Sequence, residues 1–232
     1  MVQVVIFDLG NTLISYYTRE MFPDILSEAV NNCTEYLRKE GLLNISLEKI
    51  EEQVHANNHG SPGNKVYPME QRLSTIYDIN DPDKLYELCK IFMEPILATS
   101  RLYDDVLPVL RELKRRGFIV AVLSNTPWGC PSSIWKTELT RYGLSEYIDA
   151  AVCCYDVGWR KPDPRPFKYL LEMLKAQPEE CLFVGDDPRW DIEGPKALGM
   201  KTLLIDRTKC NPDAAHGLDE VLEILVEDVL RE

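Results

Sequence analysis

A chain of 232 residues is long enough for one large domain, or for a domain carrying an insertion. Apolar residues make up 45% and charged residues 28%, the balance of a globular soluble protein. A net charge of −12 argues against a nucleic-acid binder, which needs basic stripes, and no apolar run approaches the ~20 residues of a membrane span. Small phosphorylated substrates are not excluded, because a metal ion can reverse the local sign. The seven cysteines form no C-x-x-C pair and read as reduced, mostly buried residues. The sequence enters its first apolar run at once, so no signal peptide and a cytoplasmic location are expected.

Val4 to Phe7 is apolar without alternation, which suits a strand buried on both faces of a parallel sheet, and it runs straight into Asp8. Gly10 and Asn11 break it. Residues 21–40 carry helical periodicity and stop at Gly41; Ser46 opens a second helix. Residues 57–68, rich in Gly, Pro and Asn, predict a loop, followed by helices over 69–77 and 83–98. Nothing in 15–101 reads as a strand, so this stretch is a helical insertion. From 103 on, helix and strand alternate. Strands are predicted at 118–123, 150–154, 181–184 and 201–205, and helices at 106–116, 132–142, 164–175, 191–198 and 218–230. That alternation predicts an α/β fold with a doubly wound parallel sheet.

Polar residues cluster just after the predicted strands, where open α/β sheets place their active sites. Asp8 follows the first strand, and Ser124 and Asn125 follow the second, in LSNTP. Lys161 lies in WRKPDPRPF after the third. Asp186, Asp187 and Asp191 follow the fourth, in GDDPRWD. In this order and spacing, the segments resemble the four motifs of the haloacid dehalogenase (HAD) superfamily, most of whose members are magnesium-dependent phosphatases. The resemblance covers essentially the whole chain. It implies a Rossmann-like core of residues 1–14 and 102–232 with a helical cap domain, 15–101, inserted after strand 1. It also implies catalytic roles for Asp8, Lys161 and Ser124. Asp8 is the nucleophile that forms an aspartyl-phosphate; Ser124 and Asn125 bind the phosphoryl oxygens. Lys161 neutralises charge on both Asp8 and the phosphoryl group. Mg²⁺ would be held by Asp8, the Gly10 carbonyl and Asp186, with Asp191 holding the metal or its water or pairing with Lys161. The implied substrate is a small phosphorylated molecule, and the protein a monomer or homodimer.

One departure matters. The family usually writes Asp-x-Asp-x-Thr in its first motif, and here Asp8 and Thr12 flank Leu9, Gly10 and Asn11. The second Asp normally protonates the leaving group, and Gly10 cannot. Two other readings therefore stay open: a catalytically silent HAD fold used for binding, and a metal-independent 2-haloacid dehalogenase. Trp128 reads as a pocket wall or a packing residue, and Asp187 as a helix-terminus acid with a minor role. Arg160 is expected to point away from the site. Lys65 and Tyr67 are candidates to reach the substrate from the loop. His55 and His59, at i and i+4, are a weak metal pair that lacks the Glu of the zinc motif.

Overall fold

The computed structural model describes residues 1–58 and 62–230. The first part of the chain holds β1 (Val4–Phe7), β2 (Ile14–Ser15), α1 (Phe22–Lys39), α2 (Leu47–Asn57), α3 (Met69–Tyr77), α4 (Pro82–Ala98) and β3 (Arg101–Leu102). The rest holds α5 (Val106–Arg115), β4 (Ile119–Ser124), α6 (Ser132–Trp135), α7 (Thr137–Arg141), β5 (Ala150–Cys153), α8 (Cys154–Val157), α9 (Pro164–Leu174), β6 (Cys181–Gly185), α10 (Gly194–Lys196), β7 (Lys201–Leu204) and α11 (Asp219–Leu230).

Five strands form one parallel sheet in the order β5-β4-β1-β6-β7, the α/β Rossmann-like architecture expected from the sequence. The reason β1 shows no apolar alternation is visible in its packing. Val5 and Phe7 join one core cluster with Val120, Val122, Leu182 and Val184; Val4 and Ile6 join another with Ala121, Leu123, Phe167 and Phe183. Both faces are covered, so every position must be apolar.

Between β2 and β3 the chain is helical. α1 packs on α4, α3 on α4, and α2 on α3. Ala29, Cys33 and Leu37 of α1 share one buried cluster with Leu88, Cys89 and Phe92 of α4. The helix starts follow local capping chemistry. The Ser46 hydroxyl accepts from the Lys49 N–H, and the Asp81 carboxylate accepts from the N–H groups of Asp83 and Lys84. All seven cysteines are free, and all but Cys210 are buried. Among the described residues no helix is long and apolar enough to cross a membrane.

The structure departs from the predicted elements in four places. β2 and β3 form a two-residue antiparallel ribbon at the two ends of the helical stretch, too short to register as a pattern. The helix predicted over 132–142 is split at Lys136 into α6 and α7, and β5 gives way one residue early to the short α8. The helix predicted over 191–198 is a wide π-type turn, Pro188–Glu193, followed by the single turn of α10. Pro195 contributes to that, since it has no N–H to continue an α-helical ladder.

Strand register aligns the site. Phe7 pairs with Val122 on one side and Val184 on the other, so Asp8, Ser124 and Asp186 emerge together at the carboxyl edge of the three central strands. Gly185 is the residue that lets the following turn fold back. A Cβ built there would collide with the Cβ and Cγ of Asp191, which lies directly over it. Gly185→Ala is therefore expected to cost roughly 1–3 kcal/mol as overpacking, read as a fall in Tm. At Gly10 a new Cβ would meet only the Tyr16 ring, at 3.8 Å. Gly10→Ala should accordingly stay within about 1 kcal/mol of the parent, and an equal loss in both variants would contradict this assignment.

Candidate active site

The centre of the site is Lys161, buried to 2% exposure. Its ammonium donates to Asp8 Oδ1 at 2.7 Å, to Asp191 Oδ1 at 2.6 Å and to the Leu123 carbonyl at 2.9 Å. An ammonium has three donors, so all are used. Burial opposes the charge, but Asp191 and Asp8 more than offset it and hold the lysine above its ordinary value. The Asn125 side chain fixes the backbone beneath it. Its oxygen accepts from the Lys161 N–H at 3.0 Å and its nitrogen donates to the Lys161 carbonyl at 3.3 Å. The side chain expected on a phosphoryl oxygen is therefore engaged in holding Lys161, although Asn125 still lines the cavity.

Asp191 has both oxygens engaged, one by Lys161 and the other by the Asp187 N–H at 3.1 Å. Of the sequence alternatives for Asp191, pairing with the lysine is the one the geometry realises. Asp187 caps the turn by accepting from the N–H groups of Arg189 and Trp190, which accounts for an acid at that place. Asp186 is different: among the described residues no hydrogen-bond donor meets its carboxylate. Burial, then Asp8 and Asp191, push it up to about 8, and burial pushes Asp191 up to about 6 against the pull of Lys161.

Oxygens of Asp8, Asp186 and Asp191 lie within 4.8 Å of one another. With one ammonium among three carboxylates, the fully ionised cluster carries two excess negative charges, which is what a divalent cation would match. The all-oxygen donor set suits Mg²⁺. Three carboxylates crowded at a strand end without compensation are otherwise costly, as the raised Asp186 indicates.

Above this cluster lies a cavity of about 260 Å³ lined by Asp8, Gly10, Ser124, Asp186 and the side chains discussed next. A second cavity of about 410 Å³ adjoins it, sharing Asn11, Tyr16, Tyr17 and Asp186. Sequence reasoning missed four side chains of the first: Tyr16, Tyr17, Trp135 and Arg160. Trp135 donates its indole N–H to the Ser124 hydroxyl at 3.2 Å and stacks on Tyr16, with ring centroids 4.8 Å apart. The Tyr16 ring in turn covers Gly10. Arg160, expected to point elsewhere, faces the cavity. The only signal for it was its place beside Lys161, and side-chain direction in an irregular loop has no period to read.

Other expected residues lie elsewhere. Trp128 does not line the cavity. Its backbone is left-handed, at φ 51°, and turns the ring onto Phe92 of α4, 4.8 Å between centroids, with the Arg72 guanidinium 5.3 Å from its ring centre and 4.5 Å from that of Tyr67. Tyr67 donates to Asn57, and Lys65 is exposed; neither reaches the cavity. His55 borders a separate surface cavity with Pro23 and Asn58. His59 lies outside the described residues.

Comparison with known proteins bears on the family and the fold. A family model described as haloacid dehalogenase-like hydrolase matches residues 2–199. A phosphoserine phosphatase of Thermus thermophilus is 32% identical over 155 residues, 64% of this chain but only 59% of that protein's length. A glyceraldehyde 3-phosphate phosphatase of Methanopyrus kandleri is 26% identical over 243 aligned positions, covering 100% of this chain and 98% of the other. Among solved structures, a HAD phosphatase from Thermococcus onnurineus superposes with a TM-score of 0.64 at 23% identity, covering 97% of this chain and 98% of that one. A 2-haloacid dehalogenase from Pseudomonas syringae gives 0.67 at 24% identity, covering 98% and 99%. At these identities the two structures speak to the fold, and the family match over most of the chain speaks to kinship. Because the family model spans residues 2–199, most of the chain, the chain belongs to the haloacid dehalogenase-like hydrolases.

Proposed function

We propose that this hydrolase is a magnesium-dependent phosphatase acting on a small phosphorylated molecule through an aspartyl-phosphate at Asp8. The observation that carries the reading is the pairing of a lysine-bound Asp8 with an Asp186 carboxylate that no donor meets among the described residues. The phosphatases among its relatives support the same reading.

Asp8 attacks phosphorus; a bond from its carboxylate to phosphorus forms as the bond to the leaving oxygen breaks. Water then attacks the same phosphorus, the Asp8–phosphorus bond breaks, and inorganic phosphate leaves with the carboxylate restored. Lys161 aims Asp8 through the hydrogen bond to its Oδ1. Ser124, with its oxygen held by Trp135, has a hydrogen in only a 3.3 Å contact with the Asn125 carbonyl and is free to turn it to a phosphoryl oxygen. Asp8, Asp186 and the Gly10 carbonyl would hold Mg²⁺, which when bound supplies positive charge to the phosphoryl oxygens. Asp191 acts at one remove, by holding Lys161.

No carboxyl stands at Gly10 to protonate the leaving group. Tyr16 does not replace it, because its hydroxyl is buried away from the cavity surface. The leaving oxygen therefore departs as an anion. Residues 15–101 serve as a cap that closes over the cavity and excludes water. This is supported by the pairing of the loop before α3 with the segment before Lys161: Val66 N–H donates to the Gly158 carbonyl at 2.9 Å and Arg160 N–H to the Asn64 carbonyl at 2.7 Å. The metal-free dehalogenase reading fares worse, since two uncompensated negative charges would repel a carboxylate substrate.

Asp8→Asn is expected to reduce turnover to the blank rate with the fold retained, because Lys161 keeps Asp191; circular dichroism and Tm check the fold, and near-normal kcat would remove Asp8 from the mechanism. Chelation of divalent metal should abolish hydrolysis of phenyl phosphate and added magnesium should restore it, whereas metal-independent turnover of a haloacid would establish the dehalogenase. Across substituted phenyl and simple alkyl phosphates, kcat/KM should fall steeply as leaving-group pKa rises. A flat plot, with chemistry rate-limiting, would mean that another group donates the proton. Gly10→Asp should flatten the steep plot, gaining up to ~10²-fold on alkyl esters where the new carboxylate displaces the Tyr16 ring.

A further inference from the structure

Building on the phosphatase reading, we infer that Arg160 is a second anion site in the same cavity, so that the substrate is a phosphomonoester whose leaving group carries a further anionic group, a carboxylate or a second phosphate. Arg160 is the only lysine or arginine that lines the cavity among the described residues. Lys161 lies beneath, with its three donors already used. The other charged residues of the lining are Asp8, Asp186 and Asp187. Asp187 is occupied in capping the turn, and no carboxylate lies within ion-pair distance of the Arg160 guanidinium among the described residues.

The arginine is nonetheless held in place. Its backbone N–H is bonded to Asn64 of the insertion, and its guanidinium stands 5.6 Å from the centre of the Trp190 ring, a cation–π arrangement. Tyr17 is its neighbour in the lining; burial raises the Tyr17 phenol and the Arg160 charge opposes that rise, so Tyr17 is a neutral donor beside the guanidinium. A guanidinium presents a planar fork that matches a carboxylate or phosphate with two parallel hydrogen bonds. In an acidic, partly enclosed cavity, such a fork without a carboxylate partner is suited to an anion arriving with the ligand. The cavity of about 260 Å³ is smaller than the ~300–1,000 Å³ of drug-sized sites. Asp8 and Arg160 both line this cavity and not the adjoining one, so phosphate and second anion are separated by only a few atoms.

The test uses three magnesium-supported substrates of similar size: ethyl phosphate, phosphoglycolate and ethylene glycol bisphosphate. The wild-type protein should favour one or both doubly anionic esters over ethyl phosphate by at least about tenfold in kcat/KM, and which one it favours separates carboxylate from phosphate. Arg160→Met should cut that ratio roughly 10- to 100-fold, the worth of a charge-assisted hydrogen-bond pair. Arg160→Lys should restore part of it, and Arg189→Met, at an exposed arginine outside the cavity, should leave it unchanged. A wild-type ratio near one, or a ratio that survives Arg160→Met in a folded variant, overturns the inference. Calorimetric binding of the same three compounds to the magnesium-loaded proteins separates the two readings. Arg160-dependent preference in binding with no turnover of any ester would uphold the anion site and reject the phosphatase. Turnover without that preference would do the reverse.

Discussion

A single buried ammonium organises this molecule. Lys161 is bonded at once to the nucleophile candidate at the end of β1, to the carbonyl of Leu123 in β4 and to Asp191 in the turn after β6. Removing such a charge from water is tolerable only if every donor finds an oxygen, and breaking one partner of a buried pair typically costs roughly 3–5 kcal/mol. The surroundings show what that demands. Asn125 clamps the Lys161 backbone from both sides, and Gly185 gives up its side chain so that Asp191 can lie over the strand end. Three neighbouring strands are thus tied together at their carboxyl edge by one side chain from a loop.

The same arrangement leaves a surplus of negative charge. Asp8 and Asp191 each share the lysine, and among the described residues no donor meets Asp186. A cluster of this kind favours a proton or a cation, and a hard dication resolves it without consuming the nucleophile. The loss of a carboxyl at Gly10 fits that economy of charge, since a further acid would add repulsion to an already crowded strand end. In its place the Tyr16–Trp135 stack presents an aromatic wall, and its Trp135 indole donates to Ser124.

The helical stretch between β2 and β3 is tied to the segments that follow the sheet strands. Residues 64–66 run beside residues 158–160 as a short antiparallel contact, and Gly129 has no room for a Cβ because the Tyr67 carbonyl lies against it. Phe92 and Trp128 stack across the same junction. Any movement of the helical segment therefore acts directly on the backbone of Arg160, one residue from the lysine. The proposed anion-binding arginine and the lysine that holds the carboxylates thus share a loop.

By itself the sequence determined that the core strands are buried on both faces, where they end, and which polar residue follows each. Apolar runs, Gly and Pro breaks and helix caps act over a few residues, so their consequences are written locally. Asp8, Ser124, Lys161 and Asp186 were legible for that reason, as was the helical character of the insertion. What only the tertiary structure decided was the direction of side chains in the loops between those elements. Arg160 turns into the cavity because Asn64, nearly a hundred residues earlier, holds its backbone. Trp128 turns out of it because Phe92 offers a stacking partner, and Asn125 is spent on Lys161 rather than on a ligand. Tyr16 and Trp135 become one wall only once β2 and α6 are brought together. Loops carry no periodicity, so the partner that orients each of these side chains lies far along the chain and is fixed by packing.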